Sequence, residues 1–237
     1  MYDFTGHVAL VTGASGALGE ALVRRLLAAG ARVAAVDRKP ERLVAVYADL
    51  PGDRRPSAHG ADLADAAAVG AMVAAVVERY GRIDHLFNVA GAYAGGDTVE
   101  ATSPETWQRL WDANFRSTLH VCSAVVPAMK RQGSGTIVNV GSRASLGGDA
   151  GAAAYAVAKT AVLRLTESLA AEGKRRGVRV NCVLPATIDT PANRAAMPDA
   201  DTTTWVELDA LVDVLLFLAS PAARAVHGAA LPVFGTA

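Results

Sequence analysis

Ser142, Tyr155 and Lys159 are the residues most able to do chemistry together, within the run SRASLGGDAGAAAYAVAK. Tyr155 and Lys159 are four apart, so on a helix a phenol and an ammonium share one face. A free tyrosine loses its proton near pH ~10, and a cation beside it is expected to favour the phenolate and bring the group nearer working pH. Ser142, thirteen residues before the tyrosine, can arrive from a strand end and hold the same substrate oxygen. Tyr-x-x-x-Lys pairs also occur on ordinary helix surfaces, so this one takes its meaning from the elements around it.

Residues 7–11 read as a short apolar strand, followed by TGASGALG and an amphipathic helix over 20–29 that Gly30 stops. Strand, glycine loop, helix is the setting in which such a loop binds a dinucleotide. Gly13, Gly16 and Gly19 let the chain turn, approach a pyrophosphate and pack helix on sheet. The helix N-terminus offers free N–H groups and a positive dipole end, and Ser15, Ala17 and Leu18 complete the expected phosphate turn. The next strand, 32–36, ends in Asp37, eighteen residues past Gly19. An acid there can accept from both adenine-ribose hydroxyls and would repel a 2′-phosphate, which favours NAD over NADP. The adjacent Arg38 could instead bind that phosphate.

Farther along, helices are expected over 40–48, 66–80, 103–131, 152–176 and 205–219, and strands ending near 61–63 and over 83–89, 136–140, 178–184 and 230–234. Pro104 at the first position, with Ser103 as N-cap, opens the long helix at 103. Trp107 and Trp111, four apart on it, read as packing residues. Strands alternating with helices throughout imply one α/β domain over 1–237, a Rossmann-type doubly wound sheet of seven mostly parallel strands with helices on both faces. Asp62, Leu63, Asn88, Ala90 and Gly91 then follow strands, at the edge where open parallel sheets bind ligands. Asn114 is an amide within an otherwise apolar-faced helix.

Composition removes several classes. Lysine plus arginine equals aspartate plus glutamate, 23 each, so no net field recruits nucleic acid or an anionic membrane. No apolar run approaches the ~20 residues that cross a bilayer, and the first residues lack a secretory pattern. Cys122 and Cys182 stand far apart, expected as buried thiols in a reducing, cytoplasmic setting. Scattered histidines give no metal-ligand spacing, so no metal is expected.

Taken together, TGASGALG, Asp37, Asp62-Leu63, NVAG, Asn114, Ser142, Tyr155-x-x-x-Lys159 and the proline-led segment at 185 resemble the short-chain dehydrogenase/reductase family over essentially the whole chain. The resemblance implies a nicotinamide cofactor, with Pro185, Ile188 and Thr190 among its contacts. It implies Tyr155 as general acid/base, Ser142 polarising the substrate oxygen, Lys159 on the nicotinamide ribose tuning the tyrosine, and Asn114 holding a relay water. It also implies a homo-oligomer, a tetramer or a dimer, built on the helices that begin near 103 and 152. Ala17 replaces the family's second loop glycine, Val89 stands where a second asparagine is usual, and Ala186 replaces a glycine. The substrate loop, about 186–204, is short. GALG, VAGAYAGG and TIDTPANRAAMPDADTTTW resemble the dihydropteridine reductase branch, which lacks the serine and the helix asparagine present here. The expected activity is therefore hydride exchange between a nicotinamide and a small carbonyl or alcohol. A dihydropterin reductase is the alternative, and a non-catalytic NAD-binding protein a second.

Overall fold

The computed structural model describes residues 2–236. Its strands are β1 (Val8–Thr12), β2 (Arg32–Asp37), β3 (Ser57–Gly60), β4 (His85–Asn88), β5 (Gly135–Val140), β6 (Val178–Pro185) and β7 (Ala230–Val233). Its α-helices are α1 (Ala17–Ala28), α2 (Pro40–Val46), α3 (Ala66–Tyr80), α4 (Pro104–Trp111), α5 (Ser117–Gln132), α6 (Ala153–Gly173), α7 (Pro191–Ala196) and α8 (Leu208–Ala219). The strands form one sheet in the order β3-β2-β1-β4-β5-β6-β7. Every neighbouring pair is parallel, so the expected "mostly" becomes all.

Alternation along each strand divides the core. Ala9, Val11, Val33 and Ala35 face α1 and α8, while Leu10, Ala34 and Val36 face α3 and α5. Both faces are apolar because helices cover both, as a parallel sheet requires. The order reverses direction between β1 and β4, the point at which doubly wound sheets open a crevice beyond their strand ends.

Three expected elements differ. The helix expected over 103–131 is split: α4 and α5 are joined by a π turn, Asp112–Arg116, with Asn114 at its centre. The helix expected from 205 starts at Leu208, because Val206 is used in a parallel bridge to Ile188. The third strand stops at Gly60, before the expected 61–63. Other boundaries carry ordinary cap signals. Asp65 caps α3 by accepting from Ala67 and Ala68, Gly81 closes it at φ +78°, and Ser103 caps α4 by accepting from Thr106 at 3.2 Å. No helix among the described residues is long and apolar enough to cross a membrane.

Candidate active site

The loop after β1 is shaped by close approach. A Cβ on Gly13 (φ +64°) would stand 2.9 Å from the Cα of Ala90, and one on Gly19 would strike the Gly13 carbonyl. The loops after β1 and β4 therefore touch at the switch point, and α1 packs down onto the first of them. Gly16 differs: a Cβ there would meet only the Gly13 oxygen, at 3.4 Å, leaving its outer side open. Gly16 is also the N-cap of α1 and offers no side-chain cap, so the first amides of a twelve-residue helix face that space. This geometry fits a phosphate. At the end of β2 the Asp37 carboxylate accepts from Ser15 Oγ at 2.5 Å and from the Lys39 N–H at 3.1 Å. Arg38 is exposed beside it.

Two residues that sequence reasoning passed over hold this cradle. Thr12 Oγ1 accepts from the N–H groups of Val89 and Ala90, at 3.1 and 3.2 Å, and so ties the loop after β4 to β1. Buried Tyr47 donates to the Ala14 carbonyl at 2.6 Å. A threonine before the first glycine was visible in the sequence; nothing in the spacing marks Tyr47. Asp62 follows β3 and accepts from the Ala64 N–H, and the Leu63 carbonyl accepts from His120. Pro185 ends β6. Ile188 lies in the bridge to Val206, and Thr190 caps α7 by accepting from Asn193. Gly13, Ser15, Asp37, Asp62, Asn88, Ala90, Gly91, Pro185, Ile188 and Thr190 all follow or end strands on the one edge. With an uncapped helix start, an open glycine and an acid at the second strand end, they fit a dinucleotide.

The residues expected to carry acid–base chemistry converge on that edge. Ser142 follows β5 in an extended conformation, its Oγ accepting from the Ala144 N–H. Tyr155 lies in the first turn of α6, and Lys159 one turn on, 4 % exposed. The Lys159 ammonium is 5.8 Å from the Tyr155 ring centroid and donates to the Val140 carbonyl at 2.8 Å. Asn114 faces the same place. Its Nδ2 donates to the carbonyls of Ala92 and Leu110, both at 2.9 Å, and its Oδ1 accepts from the Ala92 N–H. A Cβ on Gly91 would lie 2.8 Å from Asn114 Oδ1 and 3.3 Å from Lys159 Nζ. Only glycine lets the β4 loop pass between them.

One expectation is overturned. The cation was expected to bring the phenol toward working pH, yet the Tyr155 pKa is raised, first by burial. The contact from Ser142 works the other way, and the Tyr93 phenol adds slightly to the rise. The Lys159 ammonium itself is turned to the Val140 carbonyl. Burial also lowers Lys159, to about 8. At neutral pH the protein thus presents a protonated phenol, the form that donates.

A cavity of about 700 Å³ lies at the opposite edge, against the starts of β1, β4, β5 and β6. Two of its cations are engaged within the fold: Arg82 grips Asp84, and Arg179 donates to the carbonyls of Leu218, Ala219, Ser220 and Ala223. That role is structural. Among the described residues no group of three or more His, Cys, Asp or Glu side chains is gathered as for a metal.

A parallel seven-stranded sheet with a dinucleotide cradle at its switch point, and a tyrosine and lysine one turn apart beside it, defines a nicotinamide-dependent oxidoreductase. The chain belongs to the short chain dehydrogenase family, which it matches over residues 7–201. It is 37 % identical to the 2-(R)-hydroxypropyl-CoM dehydrogenase of Xanthobacter autotrophicus, covering 97 % of each chain. An NAD+-bound xylitol dehydrogenase superimposes with a TM-score of 0.89 at 28 % identity, over 98 % of this chain and 99 % of that one. A gluconate 5-dehydrogenase from Burkholderia cenocepacia in complex with NADP and tartrate does so at 0.91 and 31 %, over 98 % and 95 %.

Proposed function

We propose that this chain is an NAD(H)-preferring reductase of ketones, and dehydrogenase of the matching secondary alcohols, with Tyr155 as general acid/base. The observation that carries the reading is the convergence of Ser142, Tyr155, Lys159 and Asn114 at the edge that holds the glycine cradle. A bound nicotinamide supplies or accepts the hydride. The protein's part in reduction is the proton: Tyr155 O–H gives it to the carbonyl oxygen that becomes the alcohol, and Ser142 Oγ hydrogen-bonds the same oxygen as charge grows on it. Lys159 would hold the nicotinamide ribose and, with Asn114 across Gly91, would bound the route by which Tyr155 is reprotonated through water. In alcohol oxidation the deprotonated Tyr155 would take the proton of the alcohol, its phenolate being favoured by positive charge held nearby.

Asp37, fixed by Ser15 in front of the cradle, supports NAD over NADP, because a 2′-phosphate would meet a carboxylate there. The names of the relatives, a hydroxypropyl, a xylitol and a gluconate dehydrogenase, support an alcohol or ketone substrate. A homo-oligomer, tetramer or dimer, and a cytoplasmic setting complete the reading; two buried, unpaired thiols support the latter.

NADH oxidation across one panel of aldehydes, ketones, diketones and quinonoid dihydropterin, with NADPH in parallel, tests it. Turnover on a ketone, faster with NADH, is the expected result. Turnover on the pterin alone would replace this reading with dihydropterin reduction, and faster rates with NADPH would reassign Asp37 to a structural role. Tyr155→Phe should keep NADH affinity while lowering ketone turnover at least ~100-fold, the range set by loss of an acid catalyst. Turnover within about tenfold of the parent would remove Tyr155 from the chemistry.

A further inference from the structure

The loop leaving β4 is held at two places. At its start, Asn114 grips both the N–H and the carbonyl of Ala92. Farther on, the Gly96 N–H donates to the Gly151 carbonyl at 2.9 Å, and a Cβ on Gly95 would lie 2.8 Å from that oxygen. Tyr93 stands between these anchors. Its ring meets Tyr155 edge to face, with centroids 5.0 Å apart and planes at 80°. Its hydroxyl is folded back onto Gly95, where any Cβ would collide with it. Part of the ring is thus committed to Tyr155 and its own loop, while the residue is 67 % exposed. A large apolar side chain left open beside a catalytic group is a surface waiting for a ligand.

Neighbouring loops add to it. Leu146, after β5, and Met197, after β6, are also uncovered, so three loops leaving adjacent strands all carry exposed apolar side chains. We propose that Tyr93 is a specificity-determining residue whose open ring is the wall against which an aromatic or cyclic group next to the substrate carbonyl is seated. The inference rests on the ketone-reductase reading and adds the class of ketone. Tyrosine suits such a wall, because two torsions and a pinned backbone make a rigid contact at small entropic cost, and ring pairs favour offset or edge-on approach. Tyr93 supplies no proton; it positions.

The inference is tested with a pair of diketones that share one reacting centre, 1-phenylpropane-1,2-dione and butane-2,3-dione, assayed with the parent, Tyr93→Phe and Tyr93→Ala. The parent should favour the phenyl substrate in kcat/KM. Tyr93→Ala should lose that preference by roughly tenfold, through KM, the size of one good aromatic contact. Tyr93→Phe should keep it within about twofold, since the ring remains. A ring that merely braced Tyr155 would instead lower kcat on both substrates alike, and that result would overturn the inference, as would an unchanged preference in Tyr93→Ala. NADH binding followed by fluorescence should be the same in all three, confirming that each is folded. A parent that binds NADH yet reduces neither diketone, nor any other ketone, would overturn the reductase reading itself and this inference with it.

Discussion

Lys159 carries a charge where charge is costly. Its ammonium is almost wholly buried and its hydrogen bond goes to a neutral carbonyl, that of Val140. Burial lowers its pKa from 10.5 to about 8. The unfolded chain regains the ordinary value, so between those two pH values it holds the extra proton and native stability rises with pH. Below pH 8 both states are protonated and the penalty is present in full, roughly 3 kcal/mol for a gap of that size. Above pH 9 the buried thiols of Cys122 and Cys182, pushed up to about 12 and 11, act in the opposite sense. The clean window is therefore pH 7 to 9. Lys159→Met should resist urea better than the parent at pH 7, with an advantage that shrinks by roughly 1 kcal/mol by pH 9. An equal advantage at both pH values would show that the fold does not resist this charge. On the proposed reading the same variant should also lose ketone turnover.

At the scale of elements, the π turn between α4 and α5 does most to build the site. It admits one extra residue per turn, and Asn114 uses the slack to reach Ala92, 22 residues earlier. Ser117 and Thr118 donate back to the carbonyls of Ala113 and Asn114, supplying partners where the turn is irregular. Asn114→Ala would remove the partner of the part-buried Ala92 N–H and carbonyl and one donor to the Leu110 carbonyl, an expected loss of roughly 1–3 kcal/mol. It should also speed hydrogen exchange at the Ala92 amide while β1 stays protected. Unaltered protection at Ala92 would mean that another contact holds the loop. This element also marks the limit of what the sequence makes legible. The β1–glycine loop–α1 unit was readable because its signals are local: an apolar run, glycines three apart and a helix stop at Gly30. The common face of Tyr155 and Lys159 was readable for the same reason. The break at Asn114 was not, since helical periodicity runs through it and its cause lies in a distant loop. Short β3, a polar edge strand paired only to β2, left its end blurred. The direction of the Tyr155 shift escaped too, because spacing records neighbours on a helix and says nothing of burial by Tyr93 and the β5 loop.

For the whole molecule, the unsettled surface is the outer face of α4. Trp107 and Trp111 are only half-buried there, around a shallow hollow of about 670 Å³ that Thr102, Pro104 and Gln108 complete. Trp111 leans on Phe115, with ring centroids 4.5 Å apart, so that indole is braced from within. The reading of both tryptophans as packing residues holds for one side of each. On α6, which packs against α4, Val157 is also exposed, at 49 %. Indoles on a helix are strong anchors for an interface, and a stable one needs roughly 800 Å² from each partner, an area two helices can supply. The parent should therefore elute with a light-scattering mass of two or four times 24.4 kDa, and Trp111→Arg should shift it toward a single chain. A parent that runs as one chain at micromolar concentration would reject the assembly. The variant also separates two roles for the interface. Cradle and acid–base residues lie within one chain, so the dissociated form should still bind NADH. If it turns over ketone as well, the short 186–204 segment closes its own cleft; if binding survives and turnover falls, a neighbouring subunit supplies the closure.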